Sequence, residues 1–136
     1  MSEHFLAYIR AHIEALREEL GADAMSVYER DEEERVARLL AWAGEKPREI
    51  APFDVPPVGT CAKTGKGILI EKKHERPKFR SLVIVPLEAH GEQFGVLNCA
   101  SEKAEYFKSQ KLLTAVRSVA EMLARQWSTP GTEHLH

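Results

Sequence analysis

Cysteine is scarce in this chain: Cys61 and Cys99 are all it has in 136 residues, with no CxxC and no His/Cys spacing that suits zinc. A disulfide framework is therefore excluded, and the sequence offers no metal site. An excess of either charge is also missing. Lys+Arg 19 against Asp+Glu 21 leave a net charge of -2, which gives nucleic acid or an anionic membrane no electrostatic hold. Long apolar runs are absent too: the opening MSEHFLAYIRAHIEALREEL sets Glu and His among its apolar residues, so it reads neither as a signal peptide nor as a membrane span. The expected location is the cytoplasm, where two thiols stay free. No internal repeat or low-complexity tract interrupts the chain.

What remains is an ordinary globular composition, 43% hydrophobic, at a length that suits one domain. Phe5, Tyr8, Ile9, Ile13, Leu16 and Leu20 recur at three- and four-residue steps and predict an amphipathic helix that Gly21 ends. Two strand-like runs, Asp23 to Arg30 and Val36 to Ala43, flank an acidic turn and predict an antiparallel hairpin. GEKPREIAPFDVPP, with Pro47, Pro52, Pro56 and Pro57, predicts an extended connection with neither a long helix nor a central strand. VGTCAKTG predicts a helical turn or two that starts at Gly59 or Thr60 and stops at Gly65; GILIEKK predicts a short strand. FRSLVIVPL and FGVLNCASE, with Gly91 in the turn between them, predict a second hairpin. Leu112, Leu113, Val116, Val119, Ala120, Leu123 and Trp127 form the stripe of a last helix. The expected fold class is α+β: an antiparallel sheet of five to six strands in a domain over residues 1–127, followed by a mobile tail over 128–136.

Helices from both chain ends can cover one sheet face, which leaves the other to the proline-rich linker, the short helix and the Lys72 to Arg80 loop. Alternation along the strands then predicts which side chains face that cover. If Asn98 does, so do Phe94, Val96 and Ala100 on its strand, and Ala24, Ser26 and Tyr28 on the first. Such a face is mostly apolar with Ser26, Tyr28 and Asn98 as polar handles, a lining that suits a small molecule oriented by a few hydrogen bonds. The alternative for Asn98 is an amide satisfied wholly by backbone. Cys61 is either a packed, inert small residue or a thiol activated by a helix N-terminus. Lys63, Lys66, Lys72, Lys73, Arg76, Lys78 and Arg80 outnumber Glu71 and Glu75 in one segment. This excess is either a solvated loop or the mark of a ligand that is, or carries, an anion. Trp42 and Trp127 read as packing residues, Trp127 also as an anchor for a dimer contact.

VGTCAKTGKGILI, SLVIVPL, the turn with Gly91, FGVLNCAS and Phe107 together resemble the GAF domain, and the resemblance runs from about Phe5 to Trp127. It implies terminal helices on one side of the sheet, a ligand pocket with Leu82 and Ile84 on the other, and frequent dimerisation through the helices. Members that bind cyclic nucleotides have Asn-Lys, Phe and a later Asp-Glu pair where this chain reads Ser101, Glu102, Phe107, Lys111 and Leu112. Haem-binding members use an axial histidine in a longer cover, and His74 is the histidine this cover has. The chain is also similar to the free methionine-(R)-sulfoxide reductases, with Cys61 and Tyr28 at matching places. It has Leu82, Asn98 and Ala100 where they have carboxylates, and no cysteine in EKKHERPKF. Reduction through a thiolate needs a resolving thiol, and Cys99 should point toward the terminal helices.

The resulting expectation is a sensory module without catalytic or metal-binding residues, with Ser26, Tyr28, Cys61, Arg76, Arg80, Leu82, Ile84, Asn98 and Ala100 lining the ligand site. No cofactor is specified; the expected partners are the ligand, a second copy and a signalling protein. A reductase or a dimerisation scaffold without a ligand are the alternatives.

Overall fold

The structure, a computed structural model, describes residues 1–71, 79–103 and 105–129. The first helix, α1, runs from Glu3 to Leu20. Ser2 caps it by accepting the Phe5 N–H at 3.1 Å, and Gly21, at φ 72°, closes it by donating to the Arg17 carbonyl at 2.9 Å. Its apolar stripe buries Phe5, Ile9, Ile13 and Leu16. Strands β1 (Ala24–Asp31) and β2 (Val36–Gly44) form the first hairpin, and β3 (Ile50–Pro52) is a three-residue strand inside the proline-rich connection. Helix α2 covers Val58–Thr64 and β4 covers Ile68–Glu71. Strands β5 (Ser81–Ala89) and β6 (Glu92–Ser101) form the second hairpin; a 3₁₀ turn at Tyr106–Lys108 leads into α3, Gln110–Trp127. The β5–β6 connection is a two-residue turn in which His90 and Gly91 both have positive φ, 55° and 78°, the backbone that matches the strands' own twist.

The six strands make one antiparallel sheet in the order β3-β2-β1-β6-β5-β4. The two hairpins thus meet at the central β1–β6 pair, and β3, as an edge strand, accommodates its proline without losing a ladder bond. One face packs on α1 and α3 through a core that includes Ile9, Ile13, Met25, Val27, Leu97, Cys99, Val116, Leu123 and Trp127. The other face packs on α2 and the connection around β3 through Ala24, Tyr28, Ala51, Phe53, Val58, Cys61, Ala62, Leu82, Ile84, Val96 and Ala100. No helix among the described residues is long and apolar enough to cross a membrane.

Strand alternation holds except where the ladder slips. Leu87 pairs with Gly95 and Glu88 with Gln93, so Phe94 is the extra residue of a bulge. The bulge turns Phe94 away from the cover, where alternation alone puts it, and its ring stacks on Trp127 with centroids 5.9 Å apart. Trp127 in turn meets Phe5 edge-on at 5.4 Å; as expected it is a packing residue, buried within this chain. Trp42 is not. It is 41% exposed, because β3 flanks β2 only from Val36 to Arg38 and leaves Trp42 at an open edge, where the Lys46 ammonium sits 4.9 Å from its ring.

Candidate functional site

The cover over the second face is built from few side chains and much irregular backbone. Helix α2 begins at Val58, one residue before the earliest start that the sequence suggests. Pro57 supplies the reason: it has helical backbone without needing a side-chain cap, and its carbonyl accepts the Cys61 N–H at 3.1 Å. The far end of α2 is pinned twice. Arg30 Nε on β1 donates to the Ala62 carbonyl at 2.6 Å while its guanidinium lies 5.1 Å from the Phe53 ring, and Gln93 Nε2 on β6 donates to the Cys61 carbonyl at 3.1 Å.

Across this face runs a chain of polar groups in apolar surroundings. Register aligns Ile84, Asn98, Ser26 and Trp42 on neighbouring strands. Asn98 Nδ2 donates to Ser26 Oγ at 3.4 Å, the Ser26 hydroxyl acts on the Tyr28 phenol, and the Tyr28 hydroxyl donates to the Arg48 carbonyl at 2.8 Å. Burial pushes the Tyr28 phenol up to about 12, against the opposing pull of the Ser26 hydroxyl and the Arg48 charge. Nδ2 is the end of the Asn98 amide turned to Ser26. Asn98 Oδ1 is then buried with no hydrogen-bond partner among the described residues. Beside Tyr28 lies a cavity of about 240 Å³, lined also by Pro47, Arg48, Ala51, Val55, Pro56, Pro57 and Val58. Tyr28→Phe is expected to lose about 1 kcal/mol of stability and to speed amide hydrogen exchange in the segment around Arg48, because the bond from the Tyr28 hydroxyl to the Arg48 carbonyl is cut.

The sequence-derived residues fall as follows. Ser26, Tyr28, Asn98, Leu82, Ile84 and Ala100 share the covered face, and Cys61 faces them from α2. Arg80, just before β5, extends the ladder by donating its N–H to the Ser101 carbonyl at 2.9 Å, and its Nε is buried without a partner among the described residues. Arg76 and His74 lie outside the described residues. The proline-rich connection covers this face as expected, but the part played by Arg48 escaped the sequence reading. Loop backbone that meets a strand twenty residues earlier leaves no periodic signal; PRE beside a proline cluster marks only a turn.

Both thiols are fully buried, and burial pushes each up to about 12. For Cys61 this overrides any help from the helix N-terminus. The two cysteines also lie on opposite sides of the sheet, Cys61 under α2 and Cys99 under the terminal helices, the side expected for Cys99. A pH dependence follows. An unfolded chain releases its thiol protons near the ordinary 9.0 and its tyrosine proton near 10.0, while the fold holds those of Cys61, Cys99 and Tyr28 until about 12. Their contribution is complete below the unfolded values and is lost as pH rises toward the folded ones, at about 1.4 kcal/mol per pH unit for each group. Urea titrations at neutral and alkaline pH should show this loss, and Cys61→Ala with Cys99→Ala should flatten it.

A second, larger cleft of about 460 Å³ lies on the other face between α3 and the β4–β5 edge, lined by residues including Leu69, Val83, Leu113, Arg117 and Glu121. Neither it nor the Tyr28 cavity is lined by a residue with an unmatched polar atom; the Tyr28 cavity adjoins the polar chain at Tyr28 and Arg48.

The chain matches the family model described as "GAF domain" over residues 9–125. It is similar to the GAF domain of a phosphoenolpyruvate-protein phosphotransferase from Coxiella burnetii, at 18% identity and a TM-score of 0.81, covering 93% of this chain and 84% of that one. The corresponding Acinetobacter domain aligns at 20% identity and a TM-score of 0.78, covering 89% and 80%. The type II free methionine-R-sulfoxide reductase of Thermoplasma acidophilum aligns at 19% identity and a TM-score of 0.74, covering 89% and 93%. Likeness at these identities shows the fold alone. No curated protein matches the chain.

Proposed function

The chain belongs to the GAF domain family, whose members commonly bind small molecules and regulate, and we propose that it is a sensor that holds a small ligand between the sheet and the cover made by residues 47–64. Ser26, Tyr28, Cys61, Arg80, Leu82, Ile84, Asn98 and Ala100 line the ligand site. The single observation that carries this reading is the buried Asn98 Oδ1 left unmatched at the head of a polar chain that ends on the cover at Arg48. A buried acceptor without a donor costs about 1–3 kcal/mol, and a ligand that supplies the donor recovers it. The ligand then tightens the chain through Ser26 and Tyr28 to Arg48. Ordering of the cover shifts the packing of α1 and α3 across the sheet, and a second copy or a signalling protein reads that shift. The shift can be no larger than the difference in the ligand's affinity for the two arrangements.

A reductase with the same fold would need an accessible thiolate and a second thiol within reach. Here Cys61 is buried and protonated and Cys99 lies across the sheet, which argues for binding and against thiol chemistry. Thermal shift against a panel of nucleotides, amino acids and small organic anions tests the sensor. At least one compound should raise the melting temperature in proportion to RT ln(1 + [L]/Kd), and Asn98→Leu should remove the shift. No response to any compound, or an undiminished response in Asn98→Leu, contradicts the reading.

A further inference from the structure

The cavity beside Tyr28 has walls that resist collapse. Three of its lining residues, Pro47, Pro56 and Pro57, carry rings that are fixed to their own backbone and cannot rotate to fill the space. Ala51 is too short to reach across it, and the Tyr28 ring is held at its tip by the bond from its hydroxyl to the Arg48 carbonyl. Flat, rigid faces therefore bound a space of about 240 Å³. An apolar cavity of about 150 Å³ is enough to take benzene, so this one has room for a six-membered ring with a short substituent.

Its charge is one-sided. Arg48 is the one ionised side chain among the described residues of the wall: Tyr28 keeps its proton, and the others are proline, alanine and valine. The Arg48 charge acts on the Tyr28 phenol, so the guanidinium stands close to the cavity. No described carboxylate pairs with it, since the neighbouring Glu49 is bound to Lys46 at 2.7 Å. Arg48 is exposed whereas Ala51, Val58 and Tyr28 are buried. The positive charge is therefore at the mouth and the apolar surface is inside.

We infer that this cavity receives an aromatic monocarboxylate, or an equally compact ring that bears one oxyanion, with the ring between the prolines and Tyr28 and the carboxylate on Arg48. The inference rests on the sensor reading and adds the ligand's chemical class to it, at the end of the polar chain that meets the cover. A planar carboxylate suits a guanidinium in charge and geometry. One guanidinium balances one negative charge, which favours a monoanion over a phosphate ester. A rigid ring also loses less conformational freedom between rigid walls than a flexible chain of equal area. Pro47 and Arg48 precede β3 while Val55 to Val58 follow it, so a molecule lodged among them joins the two halves of the cover and presses on Tyr28.

The test uses the whole chain at constant ionic strength. Benzoate and phenylacetate are the probes; benzyl alcohol without the charge, benzylamine with the opposite charge and acetate without the ring are the controls. In calorimetry and thermal shift, benzyl alcohol should bind at least about tenfold more weakly than the better of the two carboxylates. Benzylamine should be weaker still, and acetate weaker by about a hundredfold, since it buries no ring. Arg48→Met, at an exposed position, should bring the carboxylates down to the level of benzyl alcohol and leave benzyl alcohol unchanged, and Arg48→Lys should restore part of the preference. Val55→Phe, which puts a ring of the protein's own into the space, should abolish binding of every ring compound. Equal binding of benzoate, phenylacetate and benzyl alcohol by the native chain overturns the inference, as does an unchanged preference in Arg48→Met or undiminished binding in a folded Val55→Phe. If the ring carboxylates fail while another metabolite binds and Asn98→Leu abolishes that binding, the inference falls and the sensor stands. If nothing binds at all, both fall.

Discussion

Gly59→Ala is expected to lower the melting temperature by about 10 °C or more, equivalent to about 3 kcal/mol in a domain of this size. A Cβ at Gly59 would sit 1.8 Å from the Pro52 carbonyl oxygen and 2.8 Å from its carbon. No rotamer change relieves a clash with backbone, so either β3 or α2 must move. Moving α2 breaks the seats that Arg30 and Gln93 give it and opens the wall beside Tyr28. The variant should therefore lose ligand binding as well as stability, and its amide exchange should rise first in α2 and the connection around β3. Protection should persist in α1, α3 and the β1–β6 pair, which pack on the other face. Gly91→Ala makes the comparison: its Cβ meets nothing within 4 Å, so only the positive φ is strained, at about 1 kcal/mol. Equal losses in the two variants would mean that α2 does not rest on Pro52 as closely as described.

Native Cys61 should resist alkylation and disulfide exchange by about a thousandfold relative to an unstructured thiol, the fraction of thiolate lost when burial raises the group from 9.0 to about 12. Reaction with a chromogenic disulfide at neutral pH should give no fast phase from either cysteine, then two equivalents on addition of guanidinium. Cys61→Ser should change no redox behaviour. A fast native-state equivalent assigned to Cys61 would reopen the reductase reading.

The helices and both hairpins were legible because each is written locally. α1 has its three- and four-step apolar stripe and Gly21, and the β5–β6 hairpin has two β-rich runs around Gly91. The face assignment of Ser26, Tyr28, Asn98 and Cys99 was legible too, since period-two alternation is a property of any strand. Phe94 was misplaced for the same reason. A one-residue bulge inverts alternation beyond it, and its only local hint is the neighbouring Gly95. Trp42 was misjudged because whether a strand position is covered depends on how far the next strand extends. β3 stops pairing at Arg38, which no pattern within β2 records. Arg48 was missed since it enters through its carbonyl, a group every residue has. For Cys61 two physical tendencies oppose each other, helix N-terminus against burial, and only the depth of the site decides between them.

The claim on which the account depends is that the face under α2, headed by Asn98, receives the ligand. The most direct measurement is a heteronuclear NMR titration with the first compound that raises the melting temperature. The account predicts that the Asn98 side-chain amide and the backbone amides of Ser26, Tyr28 and Arg48 shift together along one binding curve, followed by smaller shifts in α1 and α3. Shifts confined to the furrow between α3 and β4, with the Asn98 amide unmoved, would contradict it.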